Sequence, residues 1–374
     1  SGLNLSIPPR VTRRSSALEA LDLLKQKKFD LVITMPHLEE MDAGALARKI
    51  KRMSPDLPVI LLAHNPRGIL PIPQNSVCHG IDKVFVWSGN SDLLLAIVKN
   101  VEDGLNVERD TRLAQVRVLI LVEDSPVYRS HFLPLIYKEV VKQTQAVLET
   151  GLNEEHRLLT MRARPKILMA ENYEQAMCLY RRFCPYLFGI ISDARFPRNG
   201  KLDDEAGFRF LSRARREIPD LPLLMLSSDP KNRARAEIIP AVFQNKNSLN
   251  LLGEIHDFFL RYLGFGDFIF RSPSGAEIGR ADSLRTLQEK LTRIPDETLQ
   301  YHAERNHFSN WIMSRSEIAL ASKFREVQAH DFKTVDDMRE YILSNVKASR
   351  TWRQKGVVTK FKRDHYDAEI MEFA

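Results

Sequence analysis

The sequence predicts an α/β protein with two parallel sheets in tandem, followed by a mostly helical C-terminal region. An internal repeat is the first reason: residues 54–66 (SPDLPVILLAHNP) closely match residues 218–230 (IPDLPLLMLSSDP). The second is a short unbroken apolar run upstream of each copy, at 29–34 and 187–192, after a segment with helical spacing. Such runs, alternating with amphipathic helices, are typical of parallel strands buried on both faces. Each copy is therefore predicted as a doubly wound unit with its chemistry at the carboxyl ends of the strands.

The second copy contains a complete set of predicted strands. They lie at 116–122, 166–170, 187–192, 221–226 and 241–243, and a helix at 249–263 closes the unit. Between the first two strands, apolar residues recur at helical spacing over 126–164 and predict an extended helix with a helical insertion at about 140–164. The insertion is either an ordinary structural one or a surface for dimerisation or domain contact.

Polar residues stand where these strands end. Glu123 and Asp124 follow the first strand, Asp193 the third, Ser227 the fourth, and Lys246 the fifth. Three carboxylates at one sheet edge are costly unless a divalent cation neutralises them, and Mg²⁺ suits oxygen ligands. Asp193 is then the expected nucleophile toward a phosphoryl donor, with the metal and Lys246 neutralising the transferred group. The Ser227 hydroxyl is expected to hydrogen-bond the acyl phosphate.

Residues 116–263 resemble the receiver domain of bacterial response regulators, the CheY-like fold. The motifs that carry the resemblance are VEDSP at 122–126, SDARFP at 192–197, Ser227, and NKN at 245–247. There are two departures from the family pattern. The loop at 198–206 is longer than usual, and asparagine rather than proline follows the lysine.

The resemblance implies a five-stranded parallel sheet of order 2-1-3-4-5 and a defined set of functional residues. It makes Asp193 the phosphoacceptor, Phe243 the switch aromatic, and Ser227 the phosphate-sensing hydroxyl, with Ser228 as the alternative if the alignment slips by one. It also implies that Mg²⁺ is held by Glu123, Asp124, Asp193 and the backbone carbonyl of Arg195.

The first copy, residues 1–105, matches the same template but lacks its chemistry. The MDAG turn at 41–44 puts Met35 at the acceptor position, Ala63 replaces the hydroxyl, and residues 84–89 have no lysine at the required place. Since methionine cannot accept a phosphoryl group, we predict a degenerate pseudo-receiver with Met35 in an apolar pocket.

This first copy is also expected to be incomplete, because residues 8–13 are interpreted as its second strand and nothing before residue 29 supplies a first. An empty slot inside a sheet would leave backbone groups unpaired. Upstream residues or another segment are therefore expected to fill it. Residues 106–115 are predicted to link the two copies.

The C-terminal region, residues 264–374, is predicted as a small hairpin at 268–278 followed by helices. The helices are expected at about 282–292, 296–305, 307–324 and 335–349. His302 and His307 raise the question of a metal site, but a spacing of five does not align them on one helix face, and a packed surface between domains is favoured.

A second resemblance concerns this C-terminal region together with the paired receivers. Residues 294–299, 309–317 and 331–332 are similar to the N-terminal regulatory region of bacterial proteins related to phosphoenolpyruvate synthase and pyruvate phosphate dikinase. The resemblance implies an output domain beyond residue 374. No glycine-rich phosphate loop is present, so no enzyme activity is expected beyond phosphoryl transfer to the receiver.

Composition narrows the function classes. The net charge is +7, but acids and bases alternate along most of the chain, so nucleic-acid binding is not expected. No apolar run is long enough to span a bilayer, and the three cysteines lack metal spacing, which favours a cytoplasmic protein. The leading interpretation is a two-component phosphorelay module that receives its phosphoryl group from a histidine kinase or phosphotransfer protein. A homodimer is a further possible assembly. The alternatives are a DNA-binding response regulator with a basic helical output and a non-phosphorylated scaffold.

Overall fold

The computed structural model describes residues 9–64, 80–148, 164–219, 221–315 and 317–358. It confirms a mixed α/β protein with parallel sheets. The chain forms two compact units: residues 1–105 with 123–138, and residues 106–122 with 139–374. These units do not follow the predicted boundaries.

The first unit holds a three-stranded parallel sheet in its described residues. The strands lie in the spatial order β1 (Val32–Thr34), β2 (Val59–Ala63) and β3 (Lys83–Val86). Two helices flank them, α1 (Ala17–Gln26) and α2 (Ala43–Met53). Both begin at polar caps: the side chains of Ser16 and Asp42 accept hydrogen bonds from backbone N–H groups of the first turn.

Two predictions for this unit are wrong. Residues 9–13, most of the predicted second strand, form no strand. Pro9 has no backbone N–H to donate to a neighbouring strand, whereas residues 10–13 keep theirs. Met35 is not in an apolar pocket, since its side chain is 43% exposed. It directly follows β1, which lies at the edge of the described sheet.

Residues 106–114, predicted as part of a linker, belong to a long helix, α3 (Asp92–Ala114). The next helix, α4 (Pro126–Leu148), begins in the first unit, where Ser130 Oγ accepts a hydrogen bond of 2.7 Å from the N–H of Val86. The Arg129 guanidinium also lies over the Phe85 ring, 5.5 Å from its centroid. These contacts explain why residues 123–138 group with the first unit. Of the predicted insertion, 140–148 continue α4, and 149–163 lie outside the described residues.

The second unit contains a five-stranded parallel sheet in the described residues. Numbered along the chain, the strands of this unit are β4 (Val118–Val122), β5 (Lys166–Ala170), β6 (Leu187–Asp193), β7 (Phe196–Arg198), β8 (Lys201–Asp203), β9 (Leu223–Ser227) and β10 (Val242–Asn245). The five strands of the sheet lie in the spatial order β5-β4-β6-β9-β10. The helices between them are α5 (Tyr173–Phe183), α6 (Ala206–Glu217), α7 (Asn232–Ile238) and α8 (Leu251–Arg261). All residues of β4, β5, β6 and β9 are buried, as expected for strands covered on both faces.

The long loop after β6 is ordered as a hairpin. Strands β7 and β8 pair antiparallel, with Arg198 opposite Lys201. The connecting Asn199 and Gly200 have φ of 51° and 74°. Two successive positive φ values at an Asn-Gly pair are typical of a tight hairpin turn.

The C-terminal region lies in the second unit and has its own apolar core. A hairpin of β11 (Phe268–Arg271) and β12 (Glu277–Ala281) precedes α9 (Leu284–Leu291), α10 (Asp296–Ala303), α11 (His307–Ser314), α12 (Ile318–Glu326) and α13 (Val335–Val358). Trp311 and Phe308 are buried in that core. Among the helices within the described ranges, none combines the length and apolar character that crossing a bilayer requires.

The single helix predicted over 307–324 is in fact two helices, α11 and α12. Arg315 explains the break, because its guanidinium donates to the carbonyl oxygens of Gly264 at 2.9 Å and Gly266 at 2.8 Å. It also lies over the Trp311 ring, 3.4 Å from the centroid. These contacts hold the end of α11 against the segment that leaves the five-stranded sheet.

Candidate functional site

The predicted site lies at the carboxyl ends of four strands of the five-stranded sheet. The register aligns Val122 with Ser192, Asp193 with Leu226, and Asn245 with Ser227. The residues just after β4 and β10 therefore lie level with the last residues of β6 and β9. Parallel strands place all these carboxyl ends together, which is why residues far apart in the chain converge.

Three carboxylates converge at these strand ends. One oxygen from each of Glu123, Asp124 and Asp193 lies within 4.8 Å of the other two. The Glu123 side chain is fully buried, and Asp193 is 9% exposed. The N–H of Ser125 donates to Glu123 Oε1 at 3.1 Å, which orients that carboxylate. In the described part of the chain this is the one group of three or more acidic, histidine or cysteine side chains with a spacing suited to a metal ion.

Asp193 is held by defined donors on both of its oxygens. Oδ1 accepts from the N–H of Ala194 at 2.6 Å and, more weakly, from that of Arg195 at 3.4 Å. Oδ2 accepts from Lys246 Nζ at 2.6 Å, and both side chains of this ion pair are nearly buried. Three carboxylates against one ammonium leave about two negative charges, and the donor set is all oxygen. This combination fits a hard divalent cation such as Mg²⁺.

Ser227 is the last residue of β9, Phe243 lies in β10, and both have partners. Ser227 Oγ accepts from the N–H of Asp229 at 3.1 Å and from Asn232 Nδ2 at 2.9 Å. Phe243 is buried, and the Arg233 guanidinium lies 4.9 Å from its ring centroid. No motif in the sequence pointed to Asn232 or Arg233; their role comes from α7 lying beside β9 and β10.

Arg195 has a contact that the sequence did not indicate. Its side chain forms an exposed ion pair of 3.4 Å with Asp204. Such pairs contribute about 0–1 kcal/mol and do not fix the loop strongly. The role of the Arg195 carbonyl as a metal ligand stays a prediction.

His302 and His307 do come together, although not as ligands. The two Nδ1 atoms are 2.9 Å apart, and His302 Nε2 accepts from the N–H of Arg271 at 2.8 Å. A nitrogen that accepts a backbone N–H has no free lone pair for a metal. His302 is buried against Phe268 and Phe308 of the C-terminal core, and the surface between domains predicted for this stretch stays a prediction.

Gly207 provides a test of how tightly the acceptor loop is packed. Its N–H donates to Ala194 O at 3.1 Å, and a Cβ atom at this position would lie 2.2 Å from Asp193 O. Gly207→Ala is therefore expected to displace the backbone at Asp193 and Ala194 and to destabilise the protein by about 1–3 kcal/mol, as overpacking does. Thermal unfolding measures this loss.

Gly104→Ala is the matched control for Gly207→Ala. Gly104 is also helical, but a Cβ atom there would have nothing within 4 Å. Alanine should be neutral or stabilising at that position because of its helix propensity. Equal melting temperatures for Gly207→Ala and wild type would mean that the loop has more room than the structure shows.

A scan against protein-family models finds no match for this chain, and a search of curated proteins finds none either. The interpretation of the site therefore depends on its residues and their geometry.

Proposed function

We propose that the five-stranded sheet and the residues at the carboxyl ends of its strands form a phosphoacceptor module, in which Asp193 is the residue that becomes phosphorylated. One observation carries the proposal: a cluster of three carboxylates surrounds a site in which Asp193 is ion-paired to Lys246 at 2.6 Å. The strand order β5-β4-β6-β9-β10 supports it as well, because it corresponds to the order 2-1-3-4-5 that the receiver resemblance implies.

In the proposed reaction a carboxylate oxygen of Asp193 attacks the phosphorus of a phosphorylated donor histidine. The new O–P bond forms as the P–N bond breaks, and the imidazole leaves with that electron pair. Lys246 supplies positive charge next to the acceptor carboxylate. Glu123, Asp124 and Asp193 would hold Mg²⁺, which when bound neutralises charge on the phosphoryl oxygens.

The phosphoryl donor in this proposal is a histidine kinase or a phosphotransfer protein. The signal would leave through α8, because that helix leads directly to Gly264 and the C-terminal region. Phe265 links the two, stacking on Phe259 of α8 and meeting Phe188 of β6 edge to face. We propose that this segment passes the change to an output of the phosphoenolpyruvate synthase-related class.

For residues 1–105, which contain the three-stranded sheet, we propose a contact role without phosphoryl transfer. At the ends of β1 and β2 stand Met35 and Ala63, neither of which accepts a phosphoryl group.

The test is phosphorylation of the full chain by acetyl phosphate, with peptide mass spectrometry to find the modified residue. We expect one phosphoryl group per chain, on the peptide that contains Asp193, and only when Mg²⁺ is present. Asp193→Asn should abolish it.

Asp257→Asn is the control, because Asp257 is an exposed aspartate on α8 of the same unit. It should be phosphorylated like wild type. A phosphorylated residue in the first unit, or incorporation that survives in Asp193→Asn, would contradict the proposal.

A further inference from the structure

Arg117 is a buried cation at the start of β4. It directly precedes Val118, and only 3% of the residue is exposed. One terminal nitrogen donates to Asn310 Oδ1, and the other makes a long contact of 3.5 Å to Pro185 O. Its Nε is buried and has no hydrogen-bond partner within the described part of the chain.

Arg325, on α12, brings a second guanidinium close to the first. Burial, and then the charge of Arg325, lower the pKa of Arg117 well below its ordinary value. The pKa of Arg325 is also lowered by burial, and its near neighbours are Tyr186 and Cys184. Both arginines thus converge on the turn at Cys184–Tyr186. Neither forms an ion pair with a carboxylate among the described residues.

A buried guanidinium next to a partly buried one, without a counter-charge, is costly. An arginine does not escape by losing its proton, because its ordinary pKa is too high. Buried charges in proteins are paired, and an unsatisfied buried donor indicates a water or an ion. A bound anion would supply both the missing acceptor and the missing counter-charge.

We propose that Arg117 and Arg325 bind a small oxyanion of the phosphate class. The free Nε of Arg117 supplies one donor, and the Arg325 guanidinium supplies a planar set of donors that matches phosphate oxygens. The amide of Asn310 holds Arg117 in place. Arg325 is only partly buried and gives the anion access from solvent.

This site is separate from the acidic cluster. Arg117 precedes β4, whereas Glu123 and Asp124 follow its other end. The anion would bridge the five-stranded sheet and the C-terminal helices α11 and α12, so it would stabilise their contact. It does not depend on phosphorylation of Asp193.

The experiment is thermal unfolding of the full chain in EDTA, comparing sodium phosphate with sodium chloride at equal ionic strength. Ligand that binds only the folded state raises the melting temperature. We expect phosphate to raise it by a few degrees in wild type and not in Arg325→Gln. Asn310→Asp places a carboxylate beside Arg117, so it should raise the melting temperature without phosphate and remove the phosphate response.

Two controls separate this site from others. Arg285→Gln changes an exposed arginine that pairs with Glu289, and it should keep the wild-type response. Asp193→Asn should keep it too, which makes the result independent of the phosphoacceptor proposal. An equal response in wild type and Arg325→Gln, no response in wild type, or a wild-type response in Asn310→Asp would overturn the anion site.

Discussion

Replacing Lys246 with glutamine is expected to lower the rate of Asp193 phosphorylation by roughly two to three orders of magnitude, the usual effect of removing one preorganised charge-stabilising donor. The ammonium lies 2.6 Å from Asp193 Oδ2, and only 3% of its side chain is exposed. Water therefore cannot substitute for it. Glutamine removes the positive charge and keeps a hydrogen-bond donor on a side chain one bond shorter, so the variant tests the loss of the charge at Nζ.

The rate should be measured with acetyl phosphate at saturating Mg²⁺, alongside a thermal unfolding curve that shows the variant is folded. Lys231→Gln is the matched control, because Lys231 lies in the same unit and is exposed. It should react at the wild-type rate. A folded Lys246→Gln protein with an unchanged rate would mean that Lys246 balances the charge of the acidic cluster without acting on the transferred group.

The acidic site could be predicted from the sequence because its residues directly follow apolar runs that identify the strands. Unbroken apolar runs located the five strands, and the residue after each run was known from the sequence alone. The parallel arrangement then brings those residues to one edge. Asp193, Glu123 and Lys246 meet for this reason, although up to 123 residues of chain separate them.

Other features could not be predicted because they depend on long-range packing or on one backbone angle. The contact between Arg117 and Asn310 joins residues 193 positions apart that share no motif. The histidine pair depends on Asn306, whose φ of 53° ends one helix and starts another in a new direction. The exposure of Met35 follows from the edge position of β1, which the sequence pattern does not reveal.

The histidine pair should make the C-terminal core sensitive to acid. Because His302 Nε2 accepts the Arg271 N–H, its proton is on Nδ1 and is donated to His307 Nδ1, so both rings are neutral. Burial, and then the charge of His307, lower the pKa of His302 to about 3. Burial, and then the charge of Arg305, lower the pKa of His307 to about 4.

An unfolded histidine has a pKa of about 6.5, so below that pH the unfolded state binds protons that the folded state does not. The stabilisation that the folded state gains from keeping both histidines neutral is fully present above pH ~6.5. It is lost as the pH falls toward the folded-state pKa values of the two histidines. Each histidine contributes a slope of up to about 1.4 kcal/mol per pH unit in that window. The charged groups that face the pair, Arg271 and Arg305, are cations and oppose protonation.

Hydrogen exchange at the Arg271 amide reports this local stability directly, once the intrinsic pH dependence of exchange is subtracted. Between pH 6.5 and pH 4 the free energy of opening should fall with about twice the slope of one histidine. His307→Gln leaves an acceptor for His302 Nδ1 and removes one titrating group, so it should halve the slope. His330→Gln changes a histidine whose side chain is 83% exposed and should leave the slope as in wild type. A flat profile in the wild-type protein would show that opening at Arg271 lets neither ring take up a proton, and would contradict the acid sensitivity expected of the pair.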